Sequence, residues 1–124
     1  MTLPVLIVED DPTWAMLVGK YVRQLDWKST VVSSPQAAMD ALDTQPVDVI
    51  VLDMLLAVET GMALLNEIRS YDDLATIPIV AFTNMNTVSL ASLRRYGVQA
   101  LLDKAAVTPE EVQHTLKELV YGRE

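Results

Sequence analysis

Short apolar runs alternate with stretches of helical period along the chain, five of each, the order that predicts repeated strand–helix units and a parallel sheet. The runs are Leu3 to Val8, Lys28 to Val32, Val47 to Leu52, Ile77 to Phe82 and Val98 to Leu102. Val47 to Leu52 is apolar apart from Asp48 and rich in β-branched residues, which predicts a central strand covered on both faces. After the first run, Pro12 opens a helix whose Trp14, Leu17, Val18, Tyr21, Val22 and Leu25 fall on one face. Ser34 and Pro35 supply the N-cap and first residue of the second helix, with Ala37, Ala38, Ala41 and Leu42 inward. The third begins near Gly61 with Met62, Leu65 and Ile68 as its stripe. The fourth is expected from about Thr87 to Tyr96, with Gly97 just past its end. Thr108-Pro109-Glu110-Glu111 reads as the capping box of the last helix, which buries Val112, Leu116, Leu119 and Val120. No repeat or linker composition interrupts the series, so residues 1–124 are expected to form one α/β domain.

Four polar residues follow the ends of these runs: Asp10, Asp53, Thr83 and Lys104. In a parallel sheet all four gather at the carboxyl edge, where open α/β sheets place their binding crevices. Carboxylates there suit a hard divalent cation, while a lysine and a hydroxyl can hold phosphate oxygens. Among the consecutive acids Glu9, Asp10 and Asp11, the last directly precedes Pro12 and is best placed to cap the first helix. That leaves Glu9 and Asp10 for a metal.

Composition narrows the function classes. The 124 residues are 51% hydrophobic, enough for one ordinary core, and carry 17 acidic against 9 basic side chains for a formal charge of −8. With the basic residues scattered, direct binding to nucleic acid or to an anionic membrane surface is not expected. There is no cysteine, and hence no disulfide or thiolate chemistry. Met-Thr-Leu-Pro-Val runs straight into a strand without the features of a signal peptide, and no apolar stretch approaches spanning length, so a cytoplasmic protein is expected. His114, on the last helix without other ligand candidates nearby, is read as a surface residue.

Val8-Glu9-Asp10-Asp11-Pro12, Asp53 with Gly61 eight residues on, Thr83 and Lys104 together resemble the receiver domain of two-component response regulators. The chemotaxis receiver is the best-known single-domain member of that family. The resemblance covers essentially the whole chain. It implies a doubly wound, flavodoxin-like sheet of order 2-1-3-4-5 with five surrounding helices and a site at the switch point between strands one and three. It also implies Asp53 as phosphoacceptor, a sensor histidine kinase or phosphotransfer protein as donor, and Mg2+ held by Glu9, Asp10, Asp53 and the backbone carbonyl of Leu55. Output would pass to a downstream protein, or through a homodimer, by the face of helix four, strand five and helix five. Arg94, Arg95, Asp103, Lys117 and Glu118 lie near that face.

The residues themselves point to the same chemistry. Phosphoryl transfer onto a carboxylate needs an in-line nucleophile, here Asp53, and neutralised equatorial oxygens. Lys104 and Thr83 are suited to contact those oxygens, and a divalent cation relieves the repulsion among Glu9, Asp10 and Asp53. Such a chain is a signalling phosphoacceptor that assists its own phosphotransfer and dephosphorylation rather than a substrate-turnover enzyme. Two other readings are a receiver-fold scaffold that never cycles through phosphate and a magnesium-dependent phosphohydrolase with an aspartyl nucleophile. The scaffold would be expected to lose an acid or the lysine, and the hydrolase needs a second carboxylate where Leu55 stands.

Four positions depart from the usual receiver pattern. Ala57 and Ala105 replace prolines, Leu101 stands where a switch aromatic is common, and Asn84 replaces a small residue. Without proline a cis bond costs about 2.5–4 kcal/mol, so the Lys104–Ala105 peptide is expected to be trans. The loop Met54 to Val58 is unusually apolar, suited either to packing over the third helix or to docking a partner.

Overall fold

The structure, a computed structural model, describes residues 2–54, 61–83 and 89–122. In chain order the elements are β1 (Pro4–Val8), α1 (Pro12–Arg23), β2 (Lys28–Val32), α2 (Pro35–Thr44), β3 (Val49–Asp53) and α3 (Gly61–Arg69). There follow β4 (Ile79–Thr83), α4 (Leu90–Leu93) continued by a 3-10 turn (Arg94–Tyr96), β5 (Val98–Asp103) and α5 (Pro109–Tyr121). The strands form one parallel sheet of order β2-β1-β3-β4-β5, the flavodoxin-like topology expected from the sequence.

Alternation along the strands divides the core in two. Leu6, Val8, Ile50, Leu52, Ile79 and Ala81 face α2, α3 and the α4 turn, where they meet Ala38, Leu42, Leu64, Leu65, Ile68 and Leu93. Val5, Ile7, Val49, Val51, Val80 and Phe82 face α1 and α5, meeting Val18, Val22, Val112 and Leu116. β3 and β4 are buried at every position, as strands covered on both faces must be, whereas β2 is a half-exposed edge.

The helix starts follow their caps. Asp11 Oδ1 accepts from the backbone N–H groups of Thr13 and Trp14, Ser34 Oγ accepts from Ala37 N–H, and Thr108 with Glu111 closes a full capping box. Proline at the first turn of α1, α2 and α5 costs no helical hydrogen bond. Gly97 has φ +90°, the left-handed value that lets it end the 3-10 turn.

The differences from the sequence reading have local causes. β3 begins at Val49 rather than Val47, because Asp48 is exposed and its N–H is spent on Pro4 O. The fourth helix, expected from about Thr87, is described from Leu90, and its last turn tightens to 3-10 geometry before Gly97; residues 84–88 lie outside the described residues. β5 is re-phased by a bulge: Val98 pairs with Ile79 but Ala100 pairs with Val80, leaving Gln99 as the extra residue. Among the described residues no helix is long and apolar enough to cross a membrane.

Candidate functional site at the β1/β3 switch point

β1 and β3 are adjacent, and the chain leaves them for opposite halves of the sheet, so a crevice opens between their carboxyl ends. Glu9 prolongs β1, its N–H donating to Val32 O at 2.9 Å, and its side chain turns into the crevice edge with the residue only 3% exposed. Asp10 beside it is half-buried. Asp53 closes β3 and Thr83 closes β4, both nearly fully buried. Lys104 follows β5, where its N–H donates to Thr83 O at 2.9 Å.

These backbone anchors bring the polar groups together. Lys104 Nζ lies 2.7 Å from Glu9 Oε1 and 3.4 Å from Asp53 Oδ2. One carboxylate oxygen from each of Glu9, Asp10 and Asp53 falls within 4.8 Å of the others. Of the expected site residues, Glu9, Asp10, Asp53 and Lys104 therefore converge, and Thr83 stands at the adjacent strand end. Leu55, whose carbonyl the resemblance adds to the metal set, lies outside the described residues, as do Ala57 and Asn84.

Three carboxylates against one ammonium leave the crevice short of positive charge. Burial pushes the Glu9 carboxyl up from 4.5 to about 7; hydrogen bonding and charge from Asp53 act in the same direction, against the opposing pull of Lys104 and the Asp11 N–H. Clustered oxygen donors in that electrostatic state fit a hard divalent cation, which would favour the ionised form of Glu9.

Gly61 sets the return of the chain behind Asp53. Its N–H donates to Met54 O at 3.0 Å, and Met54 N–H donates to Phe82 O. A Cβ at Gly61 would sit 3.1 Å from Met54 Cα, 3.1 Å from its Sδ and 3.2 Å from Asp53 O. Two of these atoms are backbone and cannot swing away. Gly61→Ala is therefore expected to cost about 1–3 kcal/mol, read as a lowered thermal midpoint. An unchanged midpoint would show that this close approach does not constrain the loop. Met54 itself is buried in the core beside α3, which is the packing alternative for the start of the apolar loop; residues 55–58 lie outside the described residues.

Other expectations meet the structure directly. No cis peptide bond occurs among the described residues, so Lys104–Ala105 is trans, and the turn after Lys104 is closed by Asp103, whose Oδ1 accepts from Ala105 N–H at 2.9 Å. Leu101 is half-buried and packs on the α3 side of the core. His114 is exposed, 3.1 Å from Glu118 one turn on. Trp14, read from sequence only as part of a helix face, proves to border the site: Lys104 Nζ lies 5.3 Å from its ring centroid.

A carboxylate triad beside a lysine at the switch point of a doubly wound sheet defines a class, and comparison with known proteins agrees with it. The response regulator receiver domain family matches residues 5–117, and the chain belongs to that family. It is 35% identical over 79 residues to the transcriptional regulatory protein BaeR of Escherichia coli, an alignment covering 64% of this chain and 32% of that protein. The chain thus spans about a third of that curated relative's length. Among solved structures, the chemotaxis response regulator CheY4 of Vibrio cholerae superposes with a TM-score of 0.86 at 20% identity, covering 96% of this chain and 99% of that one. The receiver domain of the sensor histidine kinase PA1611 of Pseudomonas aeruginosa gives 0.84 at 25% identity, covering 97% and 98%. That structure has a magnesium ion coordinated in its active site cleft.

Proposed function

We propose that this domain accepts a phosphoryl group on Asp53 from the phosphohistidine of a sensor kinase or phosphotransfer protein and signals by a changed affinity for another protein. The observation that carries the proposal is the placement of a buried Asp53 carboxylate at the crevice, within ion-pair distance of Lys104 and within the triad of acids. An Asp53 oxygen forms the new P–O bond as the P–N bond to the donor imidazole breaks, and the released imidazole takes up a proton. Glu9, Asp10 and Asp53 would hold Mg2+, together with the Leu55 carbonyl that the family resemblance supplies. When bound, the ion lowers the repulsion between the incoming phosphoryl oxygens and the carboxylates. Lys104 contributes a point charge to one phosphoryl oxygen, and Thr83 a hydroxyl donor. The chain acts as a phosphoacceptor assisting its own phosphorylation and dephosphorylation, in the cytoplasm, without touching nucleic acid or membrane itself.

Output through α4, β5 and α5, to a downstream protein or a second copy of the chain, rests on family analogy together with the charged residues Arg94, Arg95 and Lys117 there. The reading of phosphate is assigned to Thr83. Thr83→Ala should leave labelling by a radioactive phosphodonor largely intact while weakening the phosphorylation-dependent gain in partner affinity or self-association by about 1–3 kcal/mol. A response equal to that of the wild type would remove Thr83 from the switch.

A further inference from the structure

The site contains one group that the phosphoacceptor reading leaves unused, the Trp14 indole. We propose that Trp14 is a positioning residue for Lys104, holding its ammonium over the crevice through the ring face; the proposal rests on the phosphoryl-transfer role of Lys104 given above. Three observations fix the ring. Its backbone N–H is tied into the first turn of α1 by Asp11 Oδ1 at 3.4 Å. Its plane stands edge-to-face on Phe82, with centroids 5.4 Å apart and planes at 75°, one residue before Thr83. Lys104 Nζ sits 5.3 Å from its centroid. The ring thus joins α1, the end of β4 and the end of β5 at the mouth of the crevice.

Simple space-filling does not explain the choice of tryptophan. Trp14 Nε1 is buried and has no hydrogen-bond partner among the described residues, a cost that leucine or phenylalanine would not carry. What tryptophan offers over both is the strongest cation-binding face of the side chains. That face matters because the other partners of Lys104 are Glu9 and Asp53, the same carboxylates proposed for the metal. A cation bound by those carboxylates would compete for the charge that holds the ammonium, whereas the attraction of the ring would remain. The lysine then stays over the crevice with its N–H donors available to a phosphoryl oxygen. The turn after Lys104 is closed by Asp103, whose Oδ1 accepts from Ala105 N–H, while the ammonium itself meets Glu9, Asp53 and the Trp14 ring.

The test is a double-mutant cycle of Trp14→Leu and Lys104→Met, with Trp14→Phe as the conservative variant. In the free protein, without metal or phosphodonor, the Lys104 ε-methylene protons should resonate upfield from the ring current of Trp14, lose that displacement in Trp14→Leu and keep part of it in Trp14→Phe. With magnesium and a small phosphodonor, Trp14→Leu should slow labelling about fivefold to tenfold while magnesium affinity changes less than about twofold. Trp14→Phe should recover most of the rate. On the Lys104→Met background, Trp14→Leu should cause no further loss. An equal loss on both backgrounds, or unchanged Lys104 resonances in Trp14→Leu, would overturn the positioning role. A wild-type protein that takes up no phosphoryl group would instead overturn the proposed function, and the proton shifts would still decide whether the ring holds the lysine.

Discussion

Asp53→Asn is expected to abolish phosphoryl labelling while leaving the fold in place. The carboxylate closes a fully buried strand, so its position is set by the pairing of Asp53 with Phe82 in β4 and by the return of Met54 to Phe82 O, neither of which involves the side chain. Asparagine keeps the shape and removes the carboxylate oxygen proposed as nucleophile. The loss should be complete, because Asp53 is the acid that closes β3 at the switch point within ion-pair distance of Lys104, whereas Glu9 prolongs β1 and is itself engaged by that lysine at 2.7 Å. The same substitution carries a second signature. Asp53 adds to the rise that burial imposes on the Glu9 carboxyl, by hydrogen bonding and by charge, so Glu9 should titrate lower in the variant. Radiolabelling together with carboxyl titration by NMR reads both effects. Undiminished labelling would move the nucleophile elsewhere.

The second large effect is a dependence on pH centred on Glu9. Its folded value of about 7 lies above its ordinary 4.5, so the folded protein binds the proton more tightly than the unfolded chain. The stability contributed by the protonated form is therefore complete below about 4.5 and is lost as pH rises through about 7. The clean measurement is the difference in unfolding free energy between wild type and Glu9→Gln in the presence of a chelator. That difference should move against the wild type as pH rises across this window and level off above it. Magnesium bound by the triad would reverse the sign. If the cation needs the ionised carboxylate, its apparent affinity should climb by up to about tenfold per pH unit below 7 and then plateau. A stability difference that is flat with pH would show that Glu9 is not strained in the free protein.

Much of this arrangement was legible in the sequence, because alternation and strand-end placement are local properties. Asp53, Thr83 and Lys104 could be placed by counting to the ends of apolar runs, and the acid before Pro12 could be assigned to the cap. What depends on several elements at once was not legible. The Glu9–Lys104 contact depends on the bulge at Gln99, which sets where β5 ends against Thr83, and a single extra residue leaves no period to detect. Met39 and Leu64 are buried outside the expected stripes, since helices lying against a sheet and beside other helices bury a wider arc than a narrow periodic stripe. Trp14 satisfied the helical period, and its indole over Lys104 could be seen only once α1 and β5 were brought to the same edge.

The most direct test of the central claim is the mass of the intact wild-type protein after incubation with a small-molecule phosphodonor, with magnesium and with a chelator, followed by borohydride reduction and peptide mapping. An acyl phosphate at position 53 predicts the gain of a single phosphoryl group that requires magnesium, and reduction of that residue alone to homoserine. No gain in mass, or a modification mapped to another residue, would contradict it.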